Sequence, residues 1–317
     1  MQPSPESRAG RWPIAAAMLP FKPSQDADAA HWRWQLDQVA FEGFDLIDLT
    51  DNWVKIGDLS AQRLEELDAT IEAAGLRVLA TSAIRCSPID PERGEENLAY
   101  LHRTIDAAHA LGIEMVSLGL HRPLLPSQAE ALWFWTQPGP VDSRSPENWQ
   151  LAVDRIRELA EHAAGLDIQL SLEMYEDTLV GTADEAVELV QRIDRPNVGL
   201  NPDLGNLFRL HRDIEPFLVS VAKCMPHANY WHVKNYSRDE DADGHVVALP
   251  APMYMGTANY REAIQIAIEA GFTGGFCVEH YGGDGLSVCA LNRDYIRRML
   301  AVALNEMRPA MQEGVRS

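Results

Sequence analysis

None of the four cysteines, Cys86, Cys224, Cys277 and Cys289, forms a C-x-x-C pair. A zinc knuckle and a disulfide framework are therefore not indicated, and a reduced, cytoplasmic setting fits. No apolar run reaches the roughly 18 residues that would suggest a membrane span. Positive charge is scarce: 27 Lys and Arg stand against 47 Asp and Glu, a formal net charge of −20. A surface of that sign repels phosphate backbones, so nucleic acid is not an expected partner, and it fits a neutral substrate better than a polyanion, although a local basic pocket can override the global sign. No low-complexity tract or linker divides the chain. The opening MQPSPESRAGRW lacks an apolar core of signal-peptide length. Residues 1–12 are expected to form a disordered tail and residues 308–317 a second tail. Between them lies one domain over 13–307.

What is present is a rhythm of apolar, β-rich runs followed by amphipathic helical stretches. The strand candidates are 13–19, 44–49, 77–82, 114–120, 168–175, 197–203, 229–235 and 275–280. Helical patterns cover 60–75, 93–112, 147–165 and 182–194. Gly43, Gly75, Gly112, Gly165 and Gly271 stand where helices should close, and glycine takes a left-handed cap without steric cost. Eight such units in a row predict a single-domain (β/α)8 TIM barrel. An open doubly wound sheet would carry a glycine-rich phosphate turn after its first strand, and here that segment reads MLPFKPSQD. Residues 121–146 and 236–256 extend the loops after strands four and seven, on the face where barrels do chemistry. Trp133, Phe134 and Trp135 in the first loop are candidates for lining a pocket or making a subunit contact. Trp12, Trp32 and Trp34 are assigned to the outer core.

The last four strands each end in a residue able to bind a metal: Glu173, Asp203, His232 and Glu279. Ser171, Glu173 and Tyr175 share one strand face and Leu170, Leu172 and Met174 the other, which turns Glu173 into the barrel mouth. Three carboxylates converging on one imidazole repel one another without a cation, so a divalent ion is expected. Oxygen donors with a single nitrogen suit Mn2+, Mg2+ or Co2+ better than a thiolate-type zinc site, with Mn2+ placed first. His121, after strand four, is a candidate proton carrier or sugar hydrogen-bond donor. Lys234 shares the face of His232 and either steadies a substrate oxygen or pairs with Asp203 or Glu279. Asp48, in LIDLTD, is expected to face the same mouth, as substrate contact or loop cap. The run DEDADG at 239–244 lacks the closing Glu of a calcium loop and reads as solvated.

The motifs SLEMYED, NPDLGN, YWHVKNYSRD and CVEHYGGDG, in that order, resemble the xylose-isomerase-like barrel superfamily in its sugar isomerase and epimerase branch. The resemblance covers about residues 13–305. It implies Glu173, Asp203, His232 and Glu279 as metal ligands, with the two glutamates as the acid/base pair. It also implies Arg238 as a residue that helps hold substrate. Asn206 stands where ketose 3-epimerases of the group have a substrate-contacting histidine. That departure and the tryptophans at 133 and 135 bring in a second branch, the C-glycoside deglycosidases. These cleave 3-oxo-glucosides from an aromatic aglycone and work with a small second subunit. The expected reaction begins with proton removal beside the carbonyl of a keto-sugar or oxidised glycoside, followed by isomerisation, epimerisation or elimination. An oligomer is expected. An endonuclease IV-like enzyme would need more strand-end histidines and a basic surface. A non-enzymatic binding subunit would have no need of four intact ligands.

Overall fold

The computed structural model describes residues 2–4 and 6–306. Strands β1 (Ile14–Ala17), β2 (Leu46–Thr50), β3 (Arg77–Ala83), β4 (Met115–Gly119), β5 (Gln169–Glu173), β6 (Val198–Asn201) and β7 (Tyr230–Val233) alternate with helices. A hairpin of β8 (Asn235–Glu240) and β9 (Val246–Ala251) follows, and β10 (Gly275–Val278) completes the barrel. The eight barrel strands are parallel, in the order β6-β5-β4-β3-β2-β1-β10-β7. The circle closes between β6 and β7 through one bridge, Leu200 to Ala228. Side-chain amides stitch this seam where the backbones diverge. Asn201 Oδ1 accepts the His232 backbone N–H at 2.7 Å, and Asn229 Nδ2 reaches past β6 to donate to the Leu170 carbonyl of β5 at 2.9 Å. The fold is the expected (β/α)8 barrel.

Strand parity sorts the side chains. On β7, Trp231 and Val233 face the helices, where Trp231 lies 5.3 Å from Phe276 and 6.0 Å from Phe272, centroid to centroid. Tyr230 and His232 face inward. The lower barrel interior is a small cluster of Ala17, Ala80, Tyr230 and Cys277, and a polar layer of Asp48, Ser82, Ser117, Asn201 and His232 lies buried beside it. All four cysteines are free and buried. Among the described residues no helix is long and apolar enough to cross a membrane.

Several local features differ from expectation. Gly43, Gly75, Gly112 and Gly271 do adopt positive φ, but Gly165 stays at φ −65° and the left-handed turn falls two residues later, on Asp167 (φ 58°). Aspartate tolerates that region better than most side chains. The segment after strand seven is the β8–β9 hairpin rather than an irregular loop. Residues Arg8–Arg11, expected in a disordered tail, form a helical turn capped by Ser7. Glu306 accepts the N–H groups of Arg8 and Ala9 at 3.2 and 2.9 Å, and Trp12 Nε1 donates to the Gly274 carbonyl. The expected tail at 308–317 lies outside the described residues. Trp12 and Trp32 are buried, but Trp34 is exposed.

Candidate active site

The carboxyl ends of β5, β6, β7 and β10 bring Glu173, Asp203, His232 and Glu279 into one buried cluster. Donor atoms of Glu173, Asp203 and His232 all lie within 4.8 Å of one another. His232 Nδ1 is 3.0 Å from Glu279 Oε1 and 3.8 Å from Glu173 Oε2. Asp203 Oδ1 and His232 Nδ1 are buried without a hydrogen-bond partner. The short Nδ1 contact to Glu279 is a charge contact without hydrogen-bond alignment. Buried polar atoms are almost always satisfied, so two orphans in one cluster call for a missing partner. Hard oxygen donors with one imidazole suit a divalent cation, and these residues fit one.

The expectation that only a cation neutralises this cluster needs correcting, because Lys234 enters it, by the ion-pair reading of the two expected for that residue. Lys234 projects from the end of β7, and its ammonium sits between Asp203 and Glu279, bonding Glu279 Oε2 at 2.6 Å. Lys234 reaches this position because residue 205 is glycine: a Cβ there would lie 2.4 Å from Lys234 Cγ. Burial pushes the Glu173 carboxyl up, but His121 and His232 outweigh that and hold it at about 2. For Glu279, Lys234 and His232 likewise outweigh burial and lower it. Asp203 goes the other way, to about 7, because burial outweighs Lys234 and the other two carboxylates add to it.

A second layer holds the first in place. His121 folds back so that Nε2 lies 3.3 Å from Glu173 Oε1, with its ring stacked on Tyr175 at 4.1 Å. Gly119 makes that possible, since a Cβ there would lie 2.2 Å from the imidazole. Asn206 Nδ2 lies 3.1 Å from Glu173 Oε1 and 3.0 Å from Asp203 Oδ2, bridging the two acids.

Asp48 does not face the mouth. It lies within β2, fully buried, accepting from Tyr230 at 2.6 Å and Ser82 at 2.9 Å, with Oδ2 3.4 Å from His232 Nε2. It touches the imidazole from beneath, on the side opposite the cluster's Nδ1. The expectation fails because Asp48 comes two residues before the strand ends, at an inward position.

Trp135 is buried over the site, 5.6 Å from Tyr236 and 5.5 Å from Tyr281, and Trp133 stacks on it at 5.0 Å. Arg238 does not join them. Its guanidinium donates to the carbonyls of Phe208, Leu210 and Arg212 and ties the hairpin to that segment. The buried arginine of the mouth is Arg209, which sequence reasoning missed. Its Nη2 bonds both oxygens of Glu176 at 3.0 Å, and its guanidinium lies 4.6–5.3 Å from the rings of Phe134, Trp135 and Tyr175. Nε and Nη1 are buried and unpartnered. The available signal was a lone arginine inside the apolar run LFRL just after the strand-six motif.

A closed parallel barrel with a buried, cation-competent carboxylate–imidazole cluster at its carboxyl-terminal mouth defines the class of protein. The chain belongs to the xylose isomerase-like TIM barrel family, whose model matches residues 36–302. It is 47% identical to a xylose isomerase-like TIM barrel protein from Mycobacterium smegmatis, solved in complex with magnesium. That match covers 94% of this chain and 99% of the other, with a TM-score of 0.89. It is 21% identical to an L-ribulose-5-phosphate 3-epimerase of Escherichia coli over 86% of this chain and 91% of that one. It is also 28% identical to a 3-dehydroshikimate dehydratase of Bacillus anthracis, over 43% of this chain and 53% of the dehydratase, so that match spans about half of the relative.

Proposed function

We propose that this chain is a divalent-metal-dependent isomerase or epimerase. It would remove the proton beside the carbonyl of a keto-sugar or oxidised glycoside and return it elsewhere. The observation that carries the reading is the set of Glu173, Asp203, His232 and Glu279 around two buried unpartnered donor atoms, Asp203 Oδ1 and His232 Nδ1. A divalent cation held by these four residues would stabilise the negative charge that develops on the substrate oxygen. Mn2+ is the first candidate, and the magnesium complex of the Mycobacterium relative supports an oxygen-preferring ion.

The chain's own groups supply the rest. Glu173 and Glu279 are held ionised by their cationic neighbours, so either can accept a proton. His121, touching Glu173 Oε1, is placed to exchange that proton. Asp48 fixes the orientation of His232, and Asn206 fixes the spacing of Glu173 and Asp203. Arg209 offers two unpartnered donors to a substrate oxygen, and the tryptophan roof keeps water out. Epimerisation and dehydration can share a first step of proton removal beside a carbonyl, so the epimerase and dehydratase relatives support the reading. The test is solvent-deuterium exchange into a panel of keto-sugars by Mn2+-loaded protein. Deuterium beside the carbonyl is expected. Its absence from every sugar would overturn the reading in favour of a binding subunit.

One observation favours a second reading. Trp135 Nε1, Tyr175 OH and Tyr236 OH are buried and unpartnered in the aromatic roof, which suits an aromatic aglycone. The reaction would then be elimination from a 3-oxo-glucoside, with a small partner subunit. Release of a chromogenic aglycone from such a glycoside tests it.

A further inference from the structure

A cavity of about 350 Å3 lies beneath the loop that follows β4. Tyr175 lines it, and His121, which touches Glu173, stacks on the Tyr175 ring at 4.1 Å. The compartment is thus linked to the carboxylate cluster through the stacked rings of Tyr175 and His121. Its lining includes Arg85, Arg122 and Arg212, a local concentration of positive charge in a chain of net charge −20.

The two acids that line it are already committed. Glu176 takes Arg209 through both oxygens, and Asp177 takes Arg212 at 2.7 Å. Arg122 divides itself between Asp142 at 3.6 Å and the Val141 carbonyl at 2.7 Å. Arg85 is different. Among the described residues no carboxylate lies within ion-pair distance of it, and its guanidinium makes one long contact, 3.4 Å, to the Arg122 carbonyl. It rests 5.0 Å over Phe134 and 5.6 Å over Tyr175. Its backbone is held at φ 54°, a left-handed conformation that a long side chain adopts only at a cost. A strained backbone thus delivers an arginine without an acid to a cavity wall in a protein rich in acids. Guanidinium forks match carboxylate and phosphate oxygens, and such charge-assisted bonds are strong in a partly dry site.

We infer that this cavity is a subsite for an anionic substituent of the substrate, a phosphate ester or a carboxylate, with Arg85 as its principal ligand and Arg122 as its second. The inference deepens the keto-sugar reading above and rests on it for the neighbouring chemistry. The substrate carbonyl would lie on the Glu173 side of Tyr175 and the charged end on the Arg85 side.

The test uses the full, Mn2+-loaded protein and two probes, inorganic phosphate and acetate, titrated calorimetrically at constant ionic strength. At least one probe should bind the wild type and bind Arg85→Met at least tenfold more weakly, with Arg85→Lys recovering part of the loss. The tighter probe identifies the group. In parallel, deuterium exchange compares a ketopentose with its terminal phosphate and its terminal carboxylate analogue. The charged member should be preferred in kcat/KM by at least tenfold, and Arg85→Met should erase that preference. If both probes bind Arg85→Met as tightly as the wild type, the subsite is overturned, whatever the exchange results. If no sugar exchanges while anion binding still depends on Arg85, the subsite stands and the reaction assigned above fails.

Discussion

Besides Asp48, His232 and Cys277 beneath the barrel mouth, two clusters among the described residues combine aspartate with histidine at metal-ligand distances: Glu173, Asp203 and His232 in the mouth, and Asp241, Asp243 and His245 at the tip of the β8–β9 hairpin. The first is buried, and its donors come from the ends of three different strands. Two of its atoms have no partner. The second is exposed, and the lone pairs of Asp241 are used by its own loop. Asp241 Oδ1 accepts the N–H groups of Asp243 and His245 at 2.9 Å, and Oδ2 meets His245 Nδ1 at 2.9 Å. The tip is a self-satisfied turn, while the mouth is an arrangement that remains incomplete alone. Residue types in proximity do not make a site. Buried, rigidly held donors without partners do.

The contrast between mouth and tip is challenged hardest at Glu279. Glu279→Gln keeps the shape and removes the base, so kcat/KM should fall by about 10^2–10^4, the usual contribution of general acid–base catalysis, while the thermal midpoint falls because Lys234 and His232 lose a buried anionic partner. Near-normal turnover would remove Glu279 from the acid/base pair. Asp48→Asn tests the support beneath His232: metal affinity, read by calorimetry, should weaken by about 10–100-fold, and an unchanged affinity would reduce Asp48 to packing. Asp51 tests burial outside the cluster. Burial raises its carboxyl from 3.8 to about 7, against the opposing pull of the Ile84 N–H, Lys55 and Arg85. The folded state therefore favours the protonated acid. That stabilisation is fully present below the unfolded value near 4 and is lost as pH rises through about 7. Between pH 5 and 8, wild type should lose stability to urea relative to Asp51→Asn by about 3 kcal/mol, most of it below pH 7, where each step of one in pH is worth about 1.4 kcal/mol. Parallel curves would contradict it. The smallest effect belongs to the hairpin tip. Asp241→Ala should leave metal stoichiometry unchanged and shift stability within about 0.5 kcal/mol, as exposed positions usually do.

The barrel was legible because its signals are periodic. Eight apolar runs with helical patterns between them specify a closed parallel sheet, and strand-end position with parity located Glu173, Asp203, His232 and Glu279. What escaped depends on contacts between distant segments. Asp48 reads as a mouth residue until Tyr230 and Ser82 are seen bonding it from other strands. Arg238 reads as a substrate contact until its guanidinium is found on the carbonyls of residues 208, 210 and 212. Lys234 had two open readings, and only the gap left by Gly205 decides for the ion pairs. The N-terminal turn at Arg8–Arg11 owes its order to Glu306, nearly three hundred residues away in sequence.

The proposed chemistry stands or falls with one divalent cation bound among Glu173, Asp203, His232 and Glu279. Calorimetric titration of metal-stripped protein with Mn2+ decides it, run in buffers of different ionisation heat and repeated on Asp203→Asn. One ion per chain is expected in the wild type. Near pH 6.5 binding should release protons, because Asp203 must ionise fully and His232, which its acidic neighbours hold protonated despite burial, must give up its Nδ1 proton to coordinate. The variant should lose that site. Binding of equal strength and stoichiometry in Asp203→Asn, or no binding to the wild type, would refute the metal centre.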